Sequence, residues 1–149
     1  MRIAIVADHN GTALKARLSE RLRAGGHDVD DRGAHGDDVV DYPTLCWDLG
    51  RQVVEGHADR GVVIGGSGSG EHMACNKIVG VRAGLAIEPF TTEISRAHND
   101  ANVLVIGAKV VAPEQAEQLL ELWLSTPFKG GRHQQRVDQI AAIERGQQP

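Results

Sequence analysis

The feature that most restricts how this chain can fold is a glycine-rich turn placed directly after a short apolar run. Gly61-Val62-Val63-Ile64 leads into Gly65-Gly66-Ser67-Gly68-Ser69-Gly70, and Glu71-His72-Met73-Ala74-Cys75-Asn76-Lys77 follows. Val62 to Ile64 reads as a buried strand. Glycine lets the backbone turn with positive φ and approach a ligand closely. The helix expected from about Gly70 to Ile78 opens with unpaired N–H groups and a positive partial charge. Strand end, turn and helix start together form a cradle for an anionic oxygen, with Glu71 at its lip as a candidate base.

Two phosphate-binding patterns fit this stretch poorly. The spacing from Gly65 to Gly70 matches a P-loop, but Glu71 stands where that loop needs lysine, and a carboxylate repels phosphate. The dinucleotide fingerprint belongs after the first strand of its unit, whereas Gly66, Gly68 and Gly70 follow the third. A glycine loop without chemistry remains the plain alternative for the stretch taken alone.

The rest of the chain alternates strands and helices. Arg2 to Ala7 is a β-branched run ending in the polar turn Asp8-His9-Asn10-Gly11. Leu14, Leu18 and Leu22 recur every four residues, the mark of an amphipathic helix that Gly25-Gly26 stops. His27 to Arg32 is a weak second strand, and a polar loop covers Gly33 to Asp41. Asp41-Tyr42-Pro43 opens a second helix, with Pro43 suited to its first position. Beyond the glycine turn, Arg82 to Ile87 and Val103 to Gly107 read as strands, and Thr91 to His98 as a helix between them. Pro113 opens a helix with Ala116, Leu119, Leu120, Trp123 and Leu124 on one face. A last helix covers about 132–145, after a hinge at Pro127 to Gly131.

This alternation predicts an α/β fold: an open five-stranded parallel sheet flanked by helices, a Rossmann-like three-layer sandwich in one domain over 1–149. In such sheets ligands bind beyond the C-terminal strand ends. Asp8-His9, the glycine turn, Glu88-Pro89-Phe90 and Lys109 all fall at those ends. His98-Asn99 joins them if its helix docks there.

Composition excludes several function classes. A formal charge of −4 and 3% aromatic residues offer neither an electrostatic footprint nor stacking platforms for nucleic acid. No apolar run approaches a membrane span. The N-terminus enters a strand at once and lacks a signal-peptide pattern. Cys46 and Cys75 show no C-x-x-C spacing, which fits free thiols in a reducing cytoplasm. The seven histidines show no metal-ligand spacing, so neither a metal nor a cofactor is expected. Arg132 and Arg136 sit at i and i+4 on one face of the last helix. They read either as a solvated charged face or as a guanidinium pair for phosphate.

Taken together, Ala7-Asp8-His9, Asp41-Tyr42-Pro43, Gly65 to Gly70, Asn76-Lys77, His98-Asn99-Asp100-Ala101-Asn102-Val103 and Gly131-Arg132-His133-Gln134-Gln135-Arg136 resemble the type B ribose-5-phosphate isomerase family, which includes galactose-6-phosphate isomerase subunits. The matches span nearly the whole chain in order. The resemblance implies aldose–ketose isomerisation of a sugar phosphate through a cis-enediolate. One branch of the family places a cysteine base just after the third strand, where this chain has Gly65; another uses a glutamate after the glycine loop, where this chain has Glu71. Glu71 is therefore the expected base.

The remaining roles also follow from the resemblance. Ser67 shuttles a proton between the two substrate oxygens, and the backbone from Gly66 through Gly68, Ser69 and Gly70 holds the enediolate. His98 opens the sugar ring with Asp8 nearby, Asn99 binds a hydroxyl, and Tyr42 contacts substrate. His9, Arg132 and Arg136 hold phosphate, with Lys109 where many relatives have arginine. The helix over 132–145 is expected to reach a neighbouring subunit, in a homodimer or a dimer of dimers. Ribose 5-phosphate is the first substrate expected. Tetrose and hexose phosphates and a non-catalytic sugar-phosphate-binding subunit are the alternatives. Cys75, one turn beyond Glu71, is expected to pack rather than react.

Overall fold

The computed structural model describes residues 1–36 and 38–149; residue 37, inside the loop expected over 33–41, lies outside the described residues. Five strands form one parallel sheet: β1 (Arg2–Ala7), β2 (Asp28–Asp31), β3 (Arg60–Gly65), β4 (Ala83–Ala86) and β5 (Val103–Gly107), in spatial order β2-β1-β3-β5-β4. The helices are α1 (Thr12–Ala24), α2 (Tyr42–Val54), α3 (Ser69–Cys75), α4 (Pro89–Ala97), α5 (Pro113–Ser125) and α6 (Arg132–Glu144). Register pairs Ala7 with Ile64, Gly65 with Gly107 and Ala86 with Ile106, so four strands end at one level. The turns that follow them therefore share a rim.

The central strands β1, β3 and β5 are apolar on both faces because helices cover both. On one face Ile3, Ile5, Val62, Ile64, Leu104 and Ile106 pack against Leu14, Leu18 and Leu22 of α1 and Leu119, Leu120 and Trp123 of α5. On the other, Ala4, Val6, Val63, Val103 and Val105 meet Cys46 and Leu49 of α2 and Cys75 of α3. Each fully buried large side chain contributes roughly 1.5–3 kcal/mol. The polar edge strand β2 is anchored differently. Val29 reaches the core, and Asp31 pairs at 2.5 Å with the buried Lys15 of α1.

Several element ends differ from the sequence expectation for local reasons. Helix α4 starts at Pro89, not Thr91, because the Glu88 carboxylate caps it, accepting from Phe90 N at 2.8 Å and Thr91 N at 2.6 Å. Tyr42, not Pro43, is the first residue of α2. Helix α3 starts at Ser69 and ends by Cys75, shorter than the expected 70–78. On α6 Val137 is buried, while Ile140 and Ile143 are exposed. No helix is long and apolar enough to cross a membrane among the described residues.

Candidate active site

The glycine turn wraps the end of β3, and its shape follows from missing side chains. Gly68 has φ 78°, a conformation that favours glycine, and a Cβ there would fall 2.9 Å from Leu85 Cδ1. The Tyr42 ring lies where a side chain on Gly70 would stand, 2.6 Å from its ideal Cβ. Ser67 and Ser69 are exposed, and Ser67 Oγ accepts from Ser69 N at 3.2 Å. The segment after β5 braces the turn: Ala108 N donates to Gly65 O at 2.8 Å and Lys109 N to Gly66 O at 2.9 Å. The Lys109 side chain is exposed beside it. Among the described residues, no acceptor is found for the amides of Ser67, Gly68 and Gly70.

Glu71 is the third residue of α3, and only 4% of it is exposed. Its carboxyl group fills the space left by the missing side chain of Gly65: a Cβ there would lie 2.0 Å from Oε1 and 2.5 Å from Oε2. Burial pushes the Glu71 carboxyl above the ordinary carboxylate range; its own backbone N–H opposes this, and the negative charge of Asp8 adds to it. Asp8 is also buried, and Asn10 bonds both its oxygens, N to Oδ1 and Nδ2 to Oδ2, each at 2.9 Å. Asn10 Nδ2 lies 3.1 Å from His9 Nε2. A buried carboxyl of raised pKa next to unpaired amides can move a proton on carbon while the amides hold the resulting oxyanion.

The structure does not bring His98 and Asn99 to this rim. Helix α4 runs back from the end of β4, so its C-cap, His98, lies at the opposite edge of the sheet. Arg82 Nε, just before β4, donates to Asn99 O at 3.0 Å, and Asn102 O accepts from Gly61 N at 3.0 Å, near the start of β3. At about 3.3 Å per residue, the strands put roughly 17–20 Å between this edge and the glycine turn. Arg132 and Arg136 lie with His98: the His133 ring stacks on the His98 ring at 3.8 Å and 14°, and Lys129 N bonds Ala97 O at 2.9 Å. The candidate residues thus form two groups in one chain. Asp8, His9, Tyr42, Gly66 to Gly70, Glu71 and Lys109 stand at the rim; His98, Asn99, Arg132 and Arg136 stand at the far edge.

Three residues of these groups were absent from the candidate set. Asn10 had a signal, since Asp8 two residues before it is the pattern of an Asx turn. Gly65 matters through the side chain it lacks, and His133 through a stacking partner that sequence spacing does not reveal. Cys46 and Cys75, far apart in sequence, are buried neighbours: Cys46 Sγ donates to Glu71 O at 3.7 Å, and the Cys46 contact together with burial pushes the Cys75 thiol far up. Both are free thiols in the packing beneath α3.

A glycine turn and a buried carboxyl at the rim of a parallel α/β sheet provide an oxyanion cradle and a base, the two groups that deprotonation of a carbon acid requires. The Ribose/Galactose Isomerase family model matches residues 3–140, and the chain belongs to that family. Ribose-5-phosphate isomerase B of Escherichia coli (strain K12) is 41% identical over 143 residues, covering 96% of each chain. The protein of that name from Mycobacterium leprae (strain TN) is 38% identical, covering 99% of this chain and 93% of that one. Among solved structures, ribose-5-phosphate isomerase B of Clostridium thermocellum superimposes with a TM-score of 0.96 at 40% identity, covering 98% and 99% of the two chains. The Mycoplasma genitalium protein, solved with bound ribulose-5-phosphate, superimposes with a TM-score of 0.93 at 35% identity, covering 97% and 96%.

Proposed function

We propose that this protein is an aldose–ketose isomerase that interconverts ribose 5-phosphate and ribulose 5-phosphate. The observation that carries the reading is the Glu71 carboxyl, buried against Gly65 at the mouth of the glycine turn. Relatives named for this activity support the substrate. In this reading His98 gives a proton to the ring oxygen as its bond to C1 breaks, and Asp8 takes the C1 hydroxyl proton. Glu71 then removes the proton on C2. Within the Gly66 to Gly70 turn, the unpaired amides of Ser67, Gly68 and Gly70 hold the negative O1 of the enediolate, while that of Ser69 orients the Ser67 hydroxyl; losing one oxyanion donor typically costs about 10²–10³ in rate. Ser67 carries the O2 proton to O1, and Glu71 returns its proton to C1, leaving the ketose.

His9, Lys109, Arg132 and Arg136 hold the phosphate, while Asn99 and Tyr42 contact the sugar. Because the two groups of residues stand at opposite edges of one sheet, a second copy of the chain supplies His98, Asn99, Arg132 and Arg136 to each rim. The helix over 132–145 is then both an assembly element and part of the site. The test is a panel of four-, five- and six-carbon aldose phosphates in D₂O, followed by NMR. The reading expects the highest kcat/KM for ribose 5-phosphate, with solvent deuterium entering C1 of the ketose. A higher value for a tetrose or hexose phosphate would overturn the substrate, and binding without exchange would overturn the chemistry.

A further inference from the structure

The segment from His98 to Asn102 is held by more than its helix end requires. Asp100 has φ 48° and is the sole non-glycine residue with positive φ among the described residues. Aspartate tolerates this conformation, and the end of α4 closes over it with Asp100 N donating to Arg96 O at 3.2 Å and Ala101 N to Ser95 O at 2.8 Å. Two arginines add to that closure. Arg96 Nη1 donates to Asp100 Oδ1 at 2.7 Å and Arg82 Nη2 to Asp100 Oδ2 at 2.8 Å. The same guanidinium groups take three successive carbonyls. Arg82 Nε bonds Asn99 O at 3.0 Å, Arg82 Nη2 bonds Asp100 O at 2.9 Å, and Arg96 Nη1 bonds Ala101 O at 2.7 Å. Asn102 closes the frame, its Oδ1 accepting from Arg82 N at 2.9 Å and its Nδ2 donating to Gly80 O at 2.8 Å.

Arg96 is 5% exposed, its guanidinium 5.8 Å from the Trp123 ring centroid, so it is fixed by packing as well as by charge. Arg82 is fixed by the strand it precedes. The clamp thus ties one short turn to β4 on one side and to α4 and α5 on the other. What it leaves free is informative. The Asn99 side chain is exposed and makes no hydrogen bond among the described residues, and the half-buried His98 ring stacks on the His133 ring. The backbone between two proposed substrate-contacting side chains is locked while the side chains themselves stay available.

We infer that Arg82 and Arg96, acting through Asp100, are positioning residues that hold His98 and Asn99 in the geometry for sugar-ring opening. This rests on the proposed role of His98. Neither arginine touches substrate. Their main effect belongs to the ring-opening step, because proton exchange at the open-chain ketose, measured at saturating ketose so that any weaker Asn99 contact is offset, does not use the His98 acid. A displacement of about 1 Å at a reacting group can lower its rate by about 10²-fold.

The experiment compares Arg82→Met, Arg82→Lys and His98→Asn in the full-length protein, each checked for a cooperative melt above the assay temperature. Two rates are measured: conversion of ribose 5-phosphate, and exchange of the C1 proton of ribulose 5-phosphate with D₂O. Arg82→Met is expected to lower conversion by about 10²-fold while retaining most of the exchange, as His98→Asn does. Arg82→Lys, which keeps a charge beside Asp100 but loses the fork to the carbonyls, is expected to fall between Arg82→Met and the unmodified protein. If His98→Asn impairs conversion and neither Arg82 variant does, the positioning role is wrong and the His98 reading survives. If His98→Asn converts normally, the His98 reading fails and takes this inference with it. If conversion and exchange fall in parallel in both Arg82 variants, the arginines serve the fold alone and the inference is overturned. Should Arg82→Met fail to fold, Arg82→Lys decides by the same comparison.

Discussion

Gly65→Ala tests the placement of the candidate base without touching it. A Cβ at residue 65 would stand 2.0 Å from Glu71 Oε1 and 2.1 Å from Cδ, whereas ordinary contact begins at 3.4 Å, so the carboxyl must withdraw by about 1.4 Å. A shift of that size at a reacting group corresponds to about a 10²-fold loss in kcat, or about 2.7 kcal/mol of barrier. Stability should hardly suffer, because the obstructing atoms are the end of a flexible side chain. Gly65 does not have positive φ, so the alanine restricts the unfolded chain and can add about 0.4–1 kcal/mol. Gly61→Ala is the control. Its Cβ would stand 2.5 Å from Leu49 Cδ2 and 3.2 Å from Val103 Cγ2, inside the core. That overpacking should lower stability by about 1–3 kcal/mol and leave kcat per folded molecule unchanged. Steady-state kinetics with thermal melts on both variants reads the two effects separately. Wild-type kcat in Gly65→Ala would refute the claim that the Glu71 carboxyl must occupy this space for turnover.

Further outcomes follow from the same geometry. The folded pKa of Glu71 lies above its unfolded value, chiefly through burial, so its charge opposes folding at neutral pH and the opposition fades as pH falls toward the unfolded value. Glu71→Gln should therefore melt higher than the unmodified protein at pH 7, and the difference should shrink toward about pH 4.5; an equal or lower melting temperature at pH 7 would argue against a strained carboxyl. Mixing the inactive variants Glu71→Gln and His98→Asn should restore activity through mixed assemblies that contain one intact site. No recovery after co-refolding would argue against a site shared between copies. Arg136→Ala should raise KM for the sugar phosphate several-fold or more and change kcat little. An unchanged KM would remove Arg136 from the phosphate grip.

Much of the fold was legible because β5 is fully buried, β1 and β3 are buried beyond their first residues, and their β-branched runs admit little else. Pro113 and the Gly25-Gly26 stop marked helix ends for equally local reasons. Glu88 was harder to read. It looks like a rim residue in sequence, yet its carboxylate is spent capping α4. The rim half of the site was legible because residues just past parallel strands must share one edge. The condition under which His98 and Asn99 would join the rim is not met, for a reason the topology contains: a crossover helix runs antiparallel to its strands, so its last residue returns to the N-terminal edge. The void at Gly65 that seats Glu71, and the arginine clamp on Asp100, depend on contacts between distant segments and leave no mark on spacing.

The most direct measurement is turnover of ribose 5-phosphate by Glu71→Gln, a substitution that keeps shape and removes the basic oxygen. The account predicts that kcat falls by about 10²–10⁴, that incorporation of solvent deuterium at C1 of the ketose falls with it, and that substrate still binds. Near-normal turnover by this variant would contradict the assignment of Glu71 as the group that moves the proton.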